Sequence, residues 1–222
     1  MWRDIGVAAI ANACAEAGAV ALAMRMPRRI AQYVTSAAVL PCIGFGAMCC
    51  LQTDTIDDTR SHAGVCTLCV FVATRFTLDL ALRFDPDFQW LAHHATVMFG
   101  ITYAYVTGHM HRMLCLQMLV EFTQPFLYAL LIMRHLDVRR ESALYLINGA
   151  CLAATYVAFR FVGQLYALHA LFQLRGDVAY AEWVMACALA SLLFALNAVW
   201  VWMVLHGFAR ALLRARPRSK TE

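Results

Sequence analysis

Apolar segments of about 20 residues alternate with short polar segments along almost the whole chain. A bilayer takes about 20 residues of α-helix to cross. Seven segments are long enough, and they cover residues 5–24, 30–51, 65–82, 88–108, 113–133, 143–165 and 183–208. The pattern predicts an all-α fold, a bundle of about seven transmembrane helices in a single integral-membrane domain, residues 1–222. Six helices, with the first segment lying along the membrane surface, is the alternative.

The basic residues are unevenly divided between the two sides that seven helices define. One side carries Arg25, Arg28, Arg29, Arg83, Arg134, Arg139, Arg140, Arg210, Arg214, Arg216, Arg218 and Lys220. The other carries Arg3, Arg60, Arg112 and Arg175. By the positive-inside rule the first side is cytoplasmic, so we expect a basic cytoplasmic tail at 209–222. These loops explain the net charge of +4, and we expect no nucleic-acid partner.

A polar stripe runs along the fourth apolar segment. Its members recur at steps of three and four residues and so share one helical face: His93, Thr96, Gly100, Tyr103 and Thr107. A polar stripe in a membrane helix faces protein or a water-filled cavity. We therefore expect His93 to line a cavity. His94, about 100° around the helix, should face the third segment and Asp79. Capping of interfacial hydrogen bonds by both histidines is the alternative.

Polar residues also occur inside the neighbouring segments. The candidates for a buried polar cluster are Gln117, Glu121, Gln124, Asn148 and Arg160. Glu121 and Arg160 lie at similar depths when each residue is given about 1.5 Å of rise. An unpaired ion in hydrocarbon costs at least ~2.5 kcal/mol on insertion scales. We therefore predict that Glu121 and Arg160 approach each other or share one polar cluster.

Cofactor and metal chemistry find little support in the sequence. The nine cysteines lie in or just inside the apolar segments, where cysteine behaves as a small hydrophobic residue. His93 and His94 share one helix, which does not suit a haem held between facing helices. A catalytic zinc lacks a third ligand with clear spacing. We expect no cofactor and no metal.

Three motifs in consecutive segments together resemble a known family. They are Asp87-x5-His93-His94, then Glu121-Phe-Thr-Gln-Pro125-Phe, then Asn148 followed a dozen residues later by Arg160. This order resembles the TLC-domain family of translocating-chain-associated proteins, Lag1-type ceramide synthases and a neuronal ceroid lipofuscinosis protein. The resemblance covers about residues 65–205, and it implies lipid handling in a membrane, with the endoplasmic reticulum as the expected location.

The chain departs from the ceramide synthases in the helix after the double histidine. Those enzymes carry a His-Asp pair and a further acid there, whereas residues 114–121 have only Glu121. The chain is more similar to the small TLC-domain proteins that have the Glu and Pro instead. The resemblance therefore implies lipid chemistry or lipid binding without implying ceramide synthesis.

Three functions compete at this stage. The first is non-enzymatic lipid handling, in which a cavity binds a sphingolipid, a phospholipid or acyl-CoA for sensing, regulation or trafficking. The second is acyl transfer, in which His93 or His94 acts as base or nucleophile and Asp87 or Asp79 orients it, since imidazole titrates near neutral pH. The third is a structural subunit bound to membrane-protein partners.

Overall fold

The computed structural model describes residues 14, 17–18, 21, 27–52, 63–82 and 88–215. Eight α-helices follow one another in this part of the chain: α1 Arg28–Leu51, α2 Ala63–Leu82, α3 Phe88–Thr107, α4 His111–Met118, α5 Gln124–His135, α6 Ala143–Thr155, α7 Gly163–Gln173 and α8 Tyr180–Ala215. A 3₁₀ segment, Leu119–Thr123, joins α4 to α5, and a π-helical segment, Tyr156–Val162, joins α6 to α7. The short 3₁₀ turn Leu174–Gly176 ends α7.

These elements form six continuous rods, and each corresponds to one predicted segment from 30–51 onwards. The all-α prediction is confirmed, because the described residues contain no strand. Four rods are long and apolar enough to cross a membrane: Ile30–Leu51, His111–His135, Ala143–Gly176 and Tyr180–Ala215. The Ala63–Thr77 part of α2 is a shorter apolar stretch. Most of the predicted first segment, 5–24, lies outside the described residues.

Two of the rods are longer than the apolar segments 143–165 and 183–208. The rod that begins at Ala143 continues past residue 165 to Gly176. Helix α8 has 36 residues, about 54 Å at 1.5 Å per residue, against a hydrocarbon thickness of about 30 Å. It runs through 209–215, so the basic segment begins as the last turns of a helix. Residues 216–222 lie outside the described residues.

The rods pack into one bundle with three apolar clusters. Residues of α1–α4 form the first cluster around Ile43 and Val72. The second joins α5, α6 and α8, and the third joins α4, α7 and α8. A tight reversal at Gly108 separates α3 from α4, with a φ of 73° that suits glycine.

The 3₁₀ segment Leu119–Thr123 and the π-helical segment Tyr156–Val162 pack against each other. Pro125 has no N–H to give to the carbonyl of Glu121 four residues earlier. The N–H of Gln124 donates to that carbonyl instead, which tightens the helix into a 3₁₀ turn. The π segment on the facing rod carries Arg160. The backbone is therefore not α-helical at Glu121 on one rod and at Arg160 on the other.

Candidate functional site

A cavity of about 600 Å³ opens inside the bundle between α1, α3, α5, α6 and α8. Its inner end is lined by His93, His94, Glu121, Gln124 and Arg160. Its middle is apolar, with Leu40, Leu127, Leu152, Met203 and Val204 among its walls. The opposite end lies beside the start of α1, the 134–142 turn and the end of α8. We call it the basic end because Arg134 lines it. Polar groups thus occupy both ends of a mainly apolar space.

Arg160 anchors the inner end of this larger cavity. Its side chain is 2% exposed and lies in the π segment. Its Nε donates to Thr123 Oγ1 at 3.0 Å, and its Nη1 donates to Asn197 Oδ1 at 2.8 Å. The guanidinium carbon lies 5.0 Å from the ring centroid of Tyr156 and 5.4 Å from that of Trp200. Hydrogen bonds and cation–π contacts together hold the cation.

Glu121 and Arg160 lie in one polar cluster. Both side chains line the larger cavity. The described hydrogen bonds of Arg160 end at Thr123 and Asn197, one from the same 3₁₀ segment as Glu121 and one from α8. The depth argument gave the correct level for these residues. It could not give the direction of the guanidinium, because the 3₁₀ and π segments change which side of each helix faces inward.

The two histidines lie side by side in the protein interior. His93 is 7% exposed and His94 is 6% exposed, so neither faces lipid. The ring of His93 packs edge-on against Trp200, with centroids 5.1 Å apart. The ring of His94 packs against Phe76 of α2 at 4.5 Å, which is the direction predicted for it. Both rings nevertheless line the larger cavity, whereas the helical angle had led us to expect only one there.

A second cavity, of about 100 Å³, lies on the opposite side of His93. It is lined by four members of the predicted stripe, which are His93, Thr96, Gly100 and Tyr103, and by Gln117. The two cavities share Phe76, His93 and Glu121 as a common wall. His93 and Glu121 therefore each line both cavities, one towards each end of the bundle.

The remaining candidates take different places. Gln124 lines the larger cavity. Asn148 lines neither cavity, and its Nδ2 donates to the carbonyl of Phe126 at 2.9 Å, which ties α6 to α5. Asp87 and the side chain of Asp79 lie outside the described residues, so their proposed role in orienting a histidine stays a prediction. No three His, Cys, Asp or Glu side chains of the described part come together as a metal site requires.

Sequence reasoning missed several residues that build the site. Asn197 is a single buried amide in the middle of the long apolar helix α8, and its polarity in such a setting was a usable signal. Trp200 contacts both His93 and Arg160, but tryptophan in a membrane helix usually indicates interface anchoring. Gln164, 1% exposed, lines the second cavity.

The sequence model of the TRAM/LAG1/CLN8 family, described as the TLC domain, matches residues 30–206. That match covers well over half of the chain. The protein belongs to the TLC-domain family. No curated protein matches the chain. The match begins at residue 30, one helix earlier than the 65–205 stretch that carries the motifs.

In this TLC-domain protein, the match includes every residue lining the second cavity. It also includes all the lining residues of the larger cavity except Gly207 and Phe208. The family is associated with membrane lipids, and the apolar rods agree with that setting. The chain is therefore an integral membrane protein of lipid biology.

Proposed function

We propose that this protein binds one membrane lipid in the larger cavity and serves in lipid sensing, regulation of lipid composition or lipid trafficking. The observation that carries the proposal is a cavity of about 600 Å³, inside a membrane bundle, that ends on Arg160 and two histidines. Known ligand cavities measure about 300–1,000 Å³ and combine apolar walls with a few placed polar groups. This cavity has both properties.

Arg160 is the group best suited to hold a polar part of the lipid. A guanidinium has five N–H donors, and two of those on Arg160 bond to Thr123 and Asn197. Those two bonds fix the plane of the group, while other donors stay available for an acceptor in the cavity. A phosphate, carboxylate or carbonyl oxygen of a sphingolipid, a phospholipid or acyl-CoA fits this chemistry. The rings of His93 and His94 add hydrogen-bonding groups beside it.

The basic end supplies the attraction for a lipid headgroup. Arg134, which is exposed, lines this end and its Nε donates to the hydroxyl of Tyr145 at 3.3 Å. Basic residues near a membrane surface attract anionic lipids by about 1 kcal/mol each. The apolar walls between Arg134 and Arg160 then suit an acyl chain. We keep the endoplasmic reticulum as the proposed location.

Native mass spectrometry of the protein purified from membranes tests this proposal. Gly207 lines the larger cavity, and an added Cβ there meets no atom within 4 Å. Gly176 has equally open surroundings and lines neither cavity, so it gives a matched control. We expect the wild type and Gly176→Leu to retain a lipid and Gly207→Leu to lose it. Equal retention by all three would contradict the proposal.

Acyl transfer is the second candidate, and one observation favours it. Among the described residues, Nδ1 of His93 has no hydrogen-bond partner, although the ring is buried beside the cavity. A buried imidazole with a free nitrogen can take a proton from an attacking hydroxyl or amine. An in vitro acyl-transfer assay decides between the candidates. Turnover that His93→Asn and His94→Ala both abolish would support an enzyme, and turnover unchanged by either would exclude these residues as catalysts.

A further inference from the structure

The second cavity collects buried polar atoms for which the protein supplies no partner. In the part of the chain that the structure describes, His93 Nδ1, Gln117 Nε2 and Gln164 Oε1 have no hydrogen-bond partner. All three side chains line this one cavity. They come from α3, α4 and α7, so their meeting is a property of the bundle rather than of one helix.

The chemistry of the three atoms defines what can occupy the space. An amide N–H donates, an amide oxygen accepts, and an imidazole nitrogen does either according to its tautomer. Exchanging the oxygen and nitrogen of either amide changes which group is unpaired without removing the need for a partner. A bare cation offers no acceptor for the amide N–H, and a bare anion offers no donor for the amide oxygen, so neither satisfies this set. The set calls for a small neutral molecule that both donates and accepts hydrogen bonds.

We propose that the second cavity is a hydrated pocket whose ordered water bonds to His93, Gln117 and Gln164. Buried polar groups are almost always hydrogen-bonded, and buried water commonly supplies the bonds. A cavity needs about 10–15 Å³ to hold one water molecule, so about 100 Å³ gives room for several. The pocket gives His93 contact with water on the side away from the larger cavity. It does not depend on the binding of a lipid.

The outward end of the pocket carries further hydrogen-bonding groups. Tyr103 lines the pocket, and its side chain lies near Glu182 at the start of α8. Glu182 Oε2 lies 3.2 Å from Nδ1 of His109 in the turn between α3 and α4. Polar groups therefore extend from the end of the bundle opposite the basic end, through Tyr103, to the ring of His93.

Water-edited solid-state NMR of protein with ¹⁵N-labelled glutamine side chains, in liposomes, tests the proposal. The signals are assigned by single Gln→Leu variants. We expect the amides of Gln117 and Gln164 to receive magnetisation from water as fast as the exposed amide of Gln173. Transfer as slow as that to backbone amides in the apolar clusters would overturn the proposal, because it would mean a dry cavity.

A cavity-filling variant locates the water. Gly100 lines the second cavity, and an added Cβ there meets no atom within 4 Å. We expect Gly100→Leu to cause loss of transfer at Gln117 and Gln164 while Gln124, which lines the larger cavity, keeps its signal. Undiminished transfer at Gln117 and Gln164 would overturn the proposal. If Gly100→Leu does not fold, Gly100→Ala should cause a partial loss at the same two amides, and no loss there would overturn it as well.

Discussion

Among the side chains that the structure describes, two arginines are buried, and they are held in different ways. Arg75, 1% exposed, lies in the regular helix α2, and its Nη2 donates to Ser36 of α1 at 2.8 Å. Arg160, 2% exposed, lies in a π segment and faces the larger cavity. Arg75 lines neither of the two cavities described above. The two arginines are almost equally buried. Burial alone therefore does not distinguish an arginine that joins two helices from one that faces a cavity.

The difference lies in the backbone and in what surrounds each cation. The Thr123 and Asn197 side chains that hold Arg160 come from two different rods, and aromatic rings lie 5.0 Å and 5.4 Å from it. π-helical turns within α-helices occur frequently at functional sites. A charged group inside a membrane bundle is itself a functional-site hypothesis by default. Arg160 meets both criteria, whereas Arg75 meets only the second.

Removing the cavity arginine should have the largest effect on stability. Arg160→Met leaves Thr123 and Asn197 without their donor, and hydrogen bonds to charged groups contribute about 1.5–3 kcal/mol each. We expect a loss of about 3–5 kcal/mol in the free energy of unfolding, measured by denaturant unfolding in detergent. The double variant Arg160→Met with Asn197→Leu should lose less than the sum of the single losses. Simple additivity would show that the two side chains do not interact.

A substitution at Glu121 tests whether this carboxylate also interacts with Arg160. The Glu121→Gln change keeps the shape of the side chain while removing a negative charge from the cluster that Arg160 shares. Combined with Arg160→Met, it should restore part of the folded yield, because it removes a negative charge from a cluster that has lost its arginine. Size-exclusion chromatography of the expressed variants measures this yield. If the two substitutions act independently, Glu121 and Arg160 do not interact.

The arginine that joins two helices should have a smaller effect that is confined to stability. Arg75→Met removes the bond to Ser36, so we expect a loss of about 2 kcal/mol in the free energy of unfolding. Ser36→Ala should cost less, since it keeps the arginine. The same unfolding assay compares both with Arg160→Met. A larger loss for Arg75→Met than for Arg160→Met would reverse the comparison between the two sites.

The smallest effect should come from a polar tie outside both cavities. Asn148→Leu removes the bond to the carbonyl of Phe126, which should cost about 1 kcal/mol in the free energy of unfolding. Thr155→Val is a control on the same helix, because the Thr155 hydroxyl bonds only within its own rod. Lipid retention should be unchanged in both. Loss of lipid from Asn148→Leu would place this residue in the binding machinery.

The parts of the fold with regular periodicity could be predicted from the sequence. Apolar length gave the rods, and the three- and four-residue steps placed His93, Thr96, Gly100 and Tyr103 on one face. Periodicity can predict these features because a regular α-helix has a fixed number of residues per turn and a fixed rise per residue. The 3₁₀ segment beside Glu121 was not predicted, although Pro125, which lacks an N–H, was a usable signal for it.

The partners of Arg160 could not be predicted in the same way. Segment 156–162 contains no glycine or proline that would indicate a π-helical segment, and the changed winding redirects the side chain. Depth along a helix is readable from residue number, but the direction of a side chain depends on winding and on tertiary contacts. The bond to Asn197 joins residues 37 positions apart, which no local pattern encodes.

Lipid retention per folded molecule in Arg160→Met and Arg75→Met is the most direct test of the central claim. Each variant is purified as its folded, monodisperse fraction, and bound lipid is measured by native mass spectrometry against the wild type. The two cations are similarly buried, so Arg75→Met controls for the loss of a buried arginine, and measuring only the folded fraction separates lipid loss from the larger destabilisation expected for Arg160→Met. We predict that Arg160→Met loses the lipid and Arg75→Met keeps it. Retention by Arg160→Met, or equal loss from both variants, would contradict the account.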